Sequence, residues 1–191
     1  MSTVIDLPAT FGQIDIYLFD QLLKGRITAA DRVLDAGCGS GRNLFYLMQM
    51  GCHVSAVDAN PGAVAGVREL AVELGTGLPP ENFRVEPVEA LSFADASFDV
   101  VISSAVLHFA RDEAHFMAMV KEMWRVLRPG GMLFARLAST LLPDSHYTHL
   151  VSPEQLEQLT ASLGGQLLDP LKTTVVHRQR SMTTWVVRKG D

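Results

Sequence analysis

The segment Val33–Asn43, which reads VLDAGCGSGRN, constrains the fold of this chain more than any other feature. A short apolar run leads into three glycines, and the apolar positions that follow, Leu44, Leu47 and Met48, have helical spacing. Glycines at such a junction let the main chain turn sharply and approach a ligand closely. The segment therefore predicts a strand, a tight turn and a helix, which together form the opening unit of an α/β sheet.

The rest of the chain repeats this alternation of strands and helices. Further strands are predicted at residues 53–58, 83–87, 98–103 and 132–137. Pro129-Gly130-Gly131 is expected to end the helix that precedes the last of these strands. Two β-prone runs, 166–178 and 182–188, predict a terminal antiparallel hairpin. Because crossovers between parallel strands are right-handed, the pattern indicates an α/β fold with a doubly wound, mostly parallel sheet and helices on both faces.

The length of 191 residues fits one domain with a sizeable core. No repeat, linker or low-complexity segment divides the sequence, so we expect a single domain over residues 1–191. Residues 1–30 are expected to form an N-terminal helical segment that acts as a lid. Residues 31–138 are expected to form the cofactor-binding core, and residues 152–191 a helix followed by the hairpin.

Composition excludes several other classes of protein. The formal net charge of −5 disfavours nucleic acid as a partner, because phosphate-binding proteins usually carry a basic excess. No apolar run reaches the length of about 20 residues that a membrane span needs. The N-terminus lacks the pattern of a signal peptide, and the two cysteines, Cys38 and Cys52, are too few for a disulfide framework. We therefore expect a cytoplasmic protein with reduced thiols.

Two acidic residues at strand ends indicate which ligand the glycine-rich turn binds. Asp35 precedes the glycines, and Asp58 ends the second strand, where a carboxylate can accept hydrogen bonds from a ribose diol. The third glycine of a dinucleotide-binding G-x-G-x-x-G turn would fall at Arg42. An acid beside a pyrophosphate would repel it, whereas an acid beside an ammonium group would bind it. The charge pattern thus argues against NAD and favours a cationic ligand without phosphate.

Four segments in order along the chain resemble class I S-adenosylmethionine-dependent methyltransferases, over nearly the whole length. They are VLDAGCGSGRN at 33–43, VDAN at 57–60, FADASFDVVISSAVLH at 93–108 and VLRPGGMLFARL at 126–137. The resemblance, to small bacterial members, implies a Rossmann-like sheet of seven strands in the order 3-2-1-4-5-7-6, with strand 7 antiparallel. It also implies S-adenosylmethionine as the cofactor and S-adenosylhomocysteine as the product.

The resemblance also implies which residues bind the cofactor. Asp35 and the turn from Gly37 to Gly41 would hold the methionine part, Asp58 the ribose, and Ala59 would lie against the adenine. The full expected set is Asp35, Gly37, Cys38, Gly39, Gly41, Asn43, Asp58, Ala59, Asn60, Val88, Glu89, Ser103 and Ser104.

One position departs from the family pattern. The family often has an acidic residue followed by a small one after strand three, where adenine is bound, and this chain has Pro87 and Val88 there. Either Glu86 or Glu89 takes the polar role, or the backbone of Val88 alone contacts the base. These three alternatives stay open at the level of the sequence.

The acceptor side is predicted from residues at the ends of strands four and five. His108 follows strand four and is either a general base or a positioning residue. Methyl transfer often needs no base, because alignment of donor and acceptor supplies much of the rate. Further candidates for substrate contact are Tyr17, Arg136, His146 and Tyr147. The pair His146 and His149 lacks a third ligand, so no metal site is predicted.

The resulting hypothesis is a methyltransferase that acts on a small-molecule acceptor, as a monomer or homodimer. A different class of function stays open, because the short segment between strand five and the following helix leaves little room for a substrate domain. In that alternative the chain binds S-adenosylmethionine without catalysis, as a sensor or partner subunit. An NAD-dependent oxidoreductase is the third hypothesis, and the glycine spacing argues against it.

Overall fold

The structure, a computed structural model, describes residues 6–141, 147–177 and 179–191. The helices are α1 (Leu7–Phe11), α2 (Ile16–Leu23), α3 (Leu44–Met50), α4 (Pro61–Glu73), α5 (Glu113–Val126) and α6 (Pro153–Ser162). The strands are β1 (Arg32–Ala36), β2 (His53–Asp58), β3 (Phe83–Val85), β4 (Phe98–Ser104), β5 (Leu127–Ser139), β6 (Gly165–Leu167), β7 (Lys172–Val176) and β8 (Arg180–Lys189). From β1 to β5, strands and α-helices alternate as the sequence predicts, except that β4 follows β3 with no α-helix between them.

All of these strands join one mixed sheet. Its order is β3-β2-β1-β4-β5-β8-β6, and β7 also pairs with β8. The strands β3, β2, β1, β4 and β5 are parallel to one another, and β8 is antiparallel to β5. The predicted order and the antiparallel last strand are confirmed, with β8 in the place of strand 7 and with β6 and β7 together in the place of strand 6.

Two details of the sheet differ from the sequence prediction. The outer strand of the hairpin is split into β6 and β7, because residues 168–171 include Pro170, which has no N–H to donate to a ladder. The prediction that Pro129-Gly130-Gly131 ends the preceding helix was wrong: α5 ends at Val126, and β5 begins at Leu127. The register between β4 and β5 shifts there, so the glycines form a bulge within the strand.

The sheet separates two apolar clusters. Val33 packs in the cluster with α2, α3 and α4, whereas Leu34 packs in the cluster with α5 and α6, as alternation along a strand requires. Side chains cap several of the helices that cover these faces. Asn60 caps α4, Asp112 caps α5, and Ser152 with Gln155 forms a capping box at α6.

The parallel strands all end at the same edge of the sheet. The turn after β1, the end of β2 and the segments that follow β3 and β4 therefore meet there, beside the point where the strand order reverses between β1 and β4. Of the described helices, none combines the length and the apolar character that crossing a membrane requires.

Candidate cofactor site

The glycine-rich turn is held at the edge of the sheet by its own backbone. The N–H groups of Gly37 and Cys38 both donate to the carbonyl of Val57, each at 2.9 Å. Gly37 has a φ of 90°, and a Cβ there would lie 2.8 Å from Cγ1 of Val106 and closer still to Cγ2. The turn can therefore pack this tightly on the segment after β4 only because Gly37 has no side chain.

Asp58 is fixed by two backbone donors. Its Oδ2 accepts a hydrogen bond from the N–H of Gly39 at 2.9 Å, and its Oδ1 accepts one from the N–H of Asn60, also at 2.9 Å. Because an ionised carboxylate offers about four lone-pair positions, two remain for a ligand. The carboxylate is thus oriented before any ligand binds, and it can receive two hydroxyl groups of a ribose.

Asp35 is a buried acid with an unsatisfied oxygen. The residue is 1% exposed, and among the described residues its Oδ1 has no hydrogen-bond partner. The pKa of Asp35 is raised from 3.8 to about 7. Burial is the main cause of this increase, the charge of Arg42 partly offsets it, and the charge of Asp58 adds to it. An unpartnered buried oxygen is costly for a fold, which makes a cationic ligand at this position favourable.

These residues border a cleft of about 590 Å³. It is lined by Gly37, Cys38, Gly39, Ser40, Arg42, Asn43, Asp58, Ala59, Pro87, Val88, Glu89, Ser104, Ala105, Val106, Phe109, Arg111, His115 and Met119. Nine of the predicted cofactor-binding residues therefore line this one cleft, namely Gly37, Cys38, Gly39, Asn43, Asp58, Ala59, Val88, Glu89 and Ser104. Burial raises the pKa of the Cys38 thiol, so this cysteine is a packed, protonated side chain.

Four predicted cofactor-binding residues do not line the cleft. Asp35 and Ser103 are buried in the ends of β1 and β4. A Cβ at Gly41 would meet Val67 of α4 at 2.9 Å, so Gly41 serves the packing of the turn. Asn60 accepts from the N–H of Gly62 and donates its own N–H to Asp58, which places it in the support of the carboxylate.

The structure does not place His108 on the cleft wall. The side chain is 2% exposed, and its Nδ1 accepts a hydrogen bond from the N–H of Ala138 at 3.1 Å. Its ring packs against Phe109 and Tyr147, with centroid distances of 4.7 Å and 4.2 Å. Of the two roles that the sequence allows, these contacts favour positioning.

The other substrate candidates that the structure describes do not line the cleft either. Tyr147 does not line the cleft, but its ring stands against Phe109, which does, and its hydroxyl accepts from Arg180 at 2.9 Å. His146 lies outside the described residues. Arg136 stacks over the ring of Tyr17, at 4.9 Å from its centroid, and neither residue lines the cleft.

A buried carboxylate connects this arginine to the cleft. Asp15, which is 3% exposed, accepts from Nη1 of Arg136 at 3.0 Å and lies 3.4 Å from Nη2 of Arg42. The same Nη2 of Arg42 donates to Ser104 at 3.1 Å. Asp15 and its backbone, which donates to Asn43, therefore tie the start of α2 to the glycine-rich turn.

Sequence reasoning missed the wall formed by the loop after β4 and by α5. Phe109, Arg111, His115 and Met119 line the cleft from that side, and the exposed fraction of Phe109 is 64%. The spacing of His115 and Met119 by four residues shows that they share a helix face. No sequence motif identifies these residues as part of the cleft, because their position depends on where α5 crosses the sheet.

Comparison with known proteins agrees with this architecture. The family model of a methyltransferase domain matches residues 34–135. The chain is 36% identical over 104 residues to a ubiquinone biosynthesis O-methyltransferase of Methylocella silvestris, covering 54% of this chain and 38% of that protein. It is 38% identical over 120 residues to the human thiol S-methyltransferase TMT1B, covering 61% of this chain and 47% of that protein.

A solved structure shows the same fold. The 1,6-didemethyltoxoflavin-N1-methyltransferase of Burkholderia thailandensis, solved with 1,6-didemethyltoxoflavin and S-adenosylhomocysteine, has a TM-score of 0.72 and 23% identity. The match covers 97% of this chain and 82% of that one. The chain belongs to the class I, Rossmann-like family of S-adenosylmethionine-dependent methyltransferases. It spans between 38% and 63% of the length of the first three curated relatives.

The residues present fit the cofactor of this family. The unpartnered Oδ1 of Asp35 suits the α-ammonium group, and the oriented carboxylate of Asp58 suits the ribose diol. A Cβ on Gly39 would meet no protein atom within 4 Å, so the space above this glycine is open to a ligand. The turn therefore presents backbone groups and carboxylates to a ligand, and it does not form a phosphate-binding site.

Proposed function

We propose that this chain catalyses methyl transfer from S-adenosylmethionine to a small-molecule acceptor. The observation that carries the proposal is the buried carboxyl of Asp35, with its unpartnered oxygen, at the base of a turn whose other carboxylate, Asp58, is already oriented. Two acids in this place attract a ligand with an ammonium and a sulfonium charge, and they repel a pyrophosphate.

When bound, S-adenosylmethionine would supply a methyl group on a cationic sulfur, which the acceptor's lone pair would take while the electrons of the C–S bond stay on sulfur. The chain's part is to align the two reactants and to exclude water. The cleft wall is fixed at Ala105, directly after β4, where φ is 65° and the N–H donates to the carbonyl of Arg136 at 2.7 Å. Strained backbone of this kind persists where the surrounding structure fixes it.

Among the described residues, the histidine on the cleft wall is His115, whose Nε2 lies 2.9 Å from Oε1 of Glu89 and so faces this carboxylate. His108 is buried and accepts from Ala138, and Nδ1 of His115 accepts from the N–H of Arg111 at 3.1 Å. We therefore propose that the acceptor loses its proton to solvent or arrives ionised. An acceptor with an acidic phenol or thiol fits such a site better than an alcohol does.

We also propose where the protein acts and with what. The relatives named as O- and S-methyltransferases and the N1-methyltransferase of the same fold show that the acceptor atom differs among similar proteins. A formal net charge of −5 suits a cytoplasmic enzyme for small molecules, without nucleic acid as partner. A monomer or a homodimer is compatible with this proposal.

The test is a turnover assay that follows S-adenosylhomocysteine release in the presence of phenols, thiols and amines, each in turn. We expect release that depends on the acceptor, and loss of this release in Asp58→Ala. Binding of S-adenosylmethionine without release for any acceptor class would contradict catalysis and favour the sensor or partner-subunit alternative. Nicotinamide-dependent redox activity would instead support the oxidoreductase hypothesis.

A further inference from the structure

A second pocket, of about 640 Å³, lies apart from the cofactor cleft. Its walls are formed by α2, by residues 169–172 and by Thr184 and Val186 of β8. It shares none of its lining residues with the cleft. A molecule bound in this pocket is therefore a second ligand, separate from the cofactor.

A row of hydrogen-bond donors crosses the sheet beside this pocket. Arg136 on β5 and Lys172 on β7 are both in register with Thr184 on β8, so the three side chains project from one face. Thr184 is 8% exposed, and among the described residues its hydroxyl and the Nε–H of Arg136 have no hydrogen-bond partner. Because buried donors without partners are costly, an acceptor at this row is favourable.

The charges around the pocket do not cancel. The carboxylates of Asp20 and Asp169 are matched by two cations, since Nζ of Lys24 lies 2.6 Å from Asp20 and 3.0 Å from Asp169, and Nη1 of Arg26 lies 2.6 Å from Asp169. Lys172 also lines the pocket, and no ion pair within the described part of the chain includes it. One positive charge therefore remains, and it suits an anion with a single charge.

The remaining walls of the pocket are mainly apolar. Ile16, which is 72% exposed, lines it together with Leu171 and Val186. The ring of Tyr17 is a further wall, and its centroid lies 5.1 Å from Nζ of Lys172. An apolar body attached to the anion can pack on these side chains. A carboxylate matches the single charge better than a phosphate monoester does, since the latter carries about −1.5 to −2 at pH 7.

We propose that this pocket binds a small organic acid, with its carboxylate at Lys172 and Thr184 and its apolar body against Ile16, Leu171 and Val186. The ammonium of Lys172 supplies the charge, and the hydroxyl of Thr184 donates a hydrogen bond. Because the pocket is separate from the cleft, it binds this acid whether or not the chain transfers methyl groups.

The test is titration calorimetry of the wild-type protein with hexanoate, octanoate and 4-phenylbutyrate. We expect saturable binding of at least one acid, with a dissociation constant of about 1 mM or lower. The neutral amide of that acid should bind about fivefold more weakly or worse, because it lacks the charge. No saturable binding of any of the three acids, or equal affinity for acid and amide, would overturn the proposal. Tighter binding of phenyl phosphate than of every carboxylate would also overturn it.

Matched variants locate the acid. Thr184→Val removes the hydroxyl and keeps the shape, so affinity should fall about tenfold, whereas thermal stability should not fall because the hydroxyl has no partner. Lys172→Gln should weaken binding about threefold or more. Lys121→Gln removes an exposed lysine on α5, which packs on the other face of the sheet, and it should leave the affinity unchanged. Wild-type affinity in both Thr184→Val and Lys172→Gln would overturn the proposal.

Competition with the cofactor product separates this site from the cleft. Saturating S-adenosylhomocysteine should leave the binding of the acid in place, because the two sites share no lining residue. Displacement of the acid would place it in the cleft and would overturn the proposal. Binding of the acid by a protein that does not bind S-adenosylhomocysteine would support this second site and contradict the proposed function alone.

Discussion

The two walls of the cleft are held by different kinds of contact. On the wall of the glycine-rich turn, the backbone N–H groups of Gly37, Cys38 and Gly39 donate to residues at the end of β2. On the α5 wall, side chains from separate segments meet, as His115 does with Glu89. The first wall is therefore set by backbone hydrogen bonds between the ends of two neighbouring strands, whereas the second depends on how α5 docks. We expect substitutions in the first wall to affect the binding of any ligand, and those in the second to affect specificity.

The largest expected effect is on the first wall, at Asp58. Asp58→Ala removes the carboxylate that two backbone N–H groups orient, and we expect S-adenosylhomocysteine to bind about 100-fold more weakly or worse. Calorimetric titration measures this loss. Glu73→Ala, which removes an exposed carboxylate on the neighbouring helix α4, is the control and should bind normally. Equal affinity of Asp58→Ala and wild type would contradict the assignment of the ribose site.

The next largest effect should be on the free energy of unfolding, when either of two glycines of the same turn is replaced. Gly37→Ala combines a positive φ with a clash against Val106, and we expect it to lower the free energy of unfolding by about 2–4 kcal/mol. Gly39→Ala has a positive φ but no protein atom within 4 Å of its Cβ, so its cost should be about 1 kcal/mol. Denaturant unfolding compares the two. Similar losses in both variants would show that backbone conformation, rather than packing on Val106, decides the cost.

A moderate effect should appear in the pH dependence of cofactor affinity, because Asp35 titrates near neutral pH. Since burial raises the pKa of Asp35 to about 7, the cofactor-free protein holds this carboxyl partly protonated near neutral pH. A cationic ligand favours the ionised form, so affinity should rise several-fold, approaching about tenfold, from pH 6 to 7.5. Binding should release a proton, which calorimetry in buffers of different ionisation enthalpy detects. Asp35→Asn should bind more weakly and with a flat pH profile.

The same pKa predicts an opposite effect on the stability of the free protein. A carboxyl whose folded pKa is raised gives stability that is complete below its ordinary value of 3.8 and is lost as pH rises through about 7. Asp35→Asn should therefore be more stable than wild type at pH 8, by an amount on the order of 1 kcal/mol, while the two differ less at pH 5. A variant less stable than wild type at pH 8 would contradict the burial of an unpaired charge.

The smallest expected effect lies on the second wall. Phe109 is 64% exposed and lines the cleft against Tyr147, so Phe109→Ala should raise the KM for an aromatic acceptor a few-fold and leave cofactor affinity unchanged. Steady-state kinetics measures the change once an acceptor is known. Val175→Ala, which truncates an exposed side chain on β7, should alter neither quantity. A weakened cofactor affinity in Phe109→Ala would place the cofactor, rather than the acceptor, against this ring.

The contrast between the walls also explains what the sequence could predict. The order of strands, the glycine-rich turn and both acids follow from local patterns and from four matched segments, and the sheet order is confirmed. Asp15 and Arg42 could not be paired in advance, because they are 27 positions apart in sequence and Asp15 belongs to none of the matched segments. His108 shows the converse, since it ends the third matched segment but its side chain is buried, and its Nδ1 accepts from the N–H of Ala138.

Interruptions within strands were likewise hard to predict from the sequence. A run of β-prone residues gives no sign of where a strand leaves the ladder, and β6 and β7 separate at residues 168–171, which Pro170 helps to explain. The bulge at Pro129-Gly130-Gly131 shows the same limit, because glycine and proline mark an irregularity without specifying whether it is a turn or a bulge.

We propose that two carboxylates, the buried Asp35 and the backbone-oriented Asp58, make this cleft a site for S-adenosylmethionine. Calorimetric titration of the wild-type protein with S-adenosylmethionine, S-adenosylhomocysteine and NAD tests it most directly. We expect dissociation constants of about micromolar order for the first two, as is common for enzyme ligands, and no measurable heat with NAD. Binding of NAD, or no binding of either sulfur compound, would contradict it.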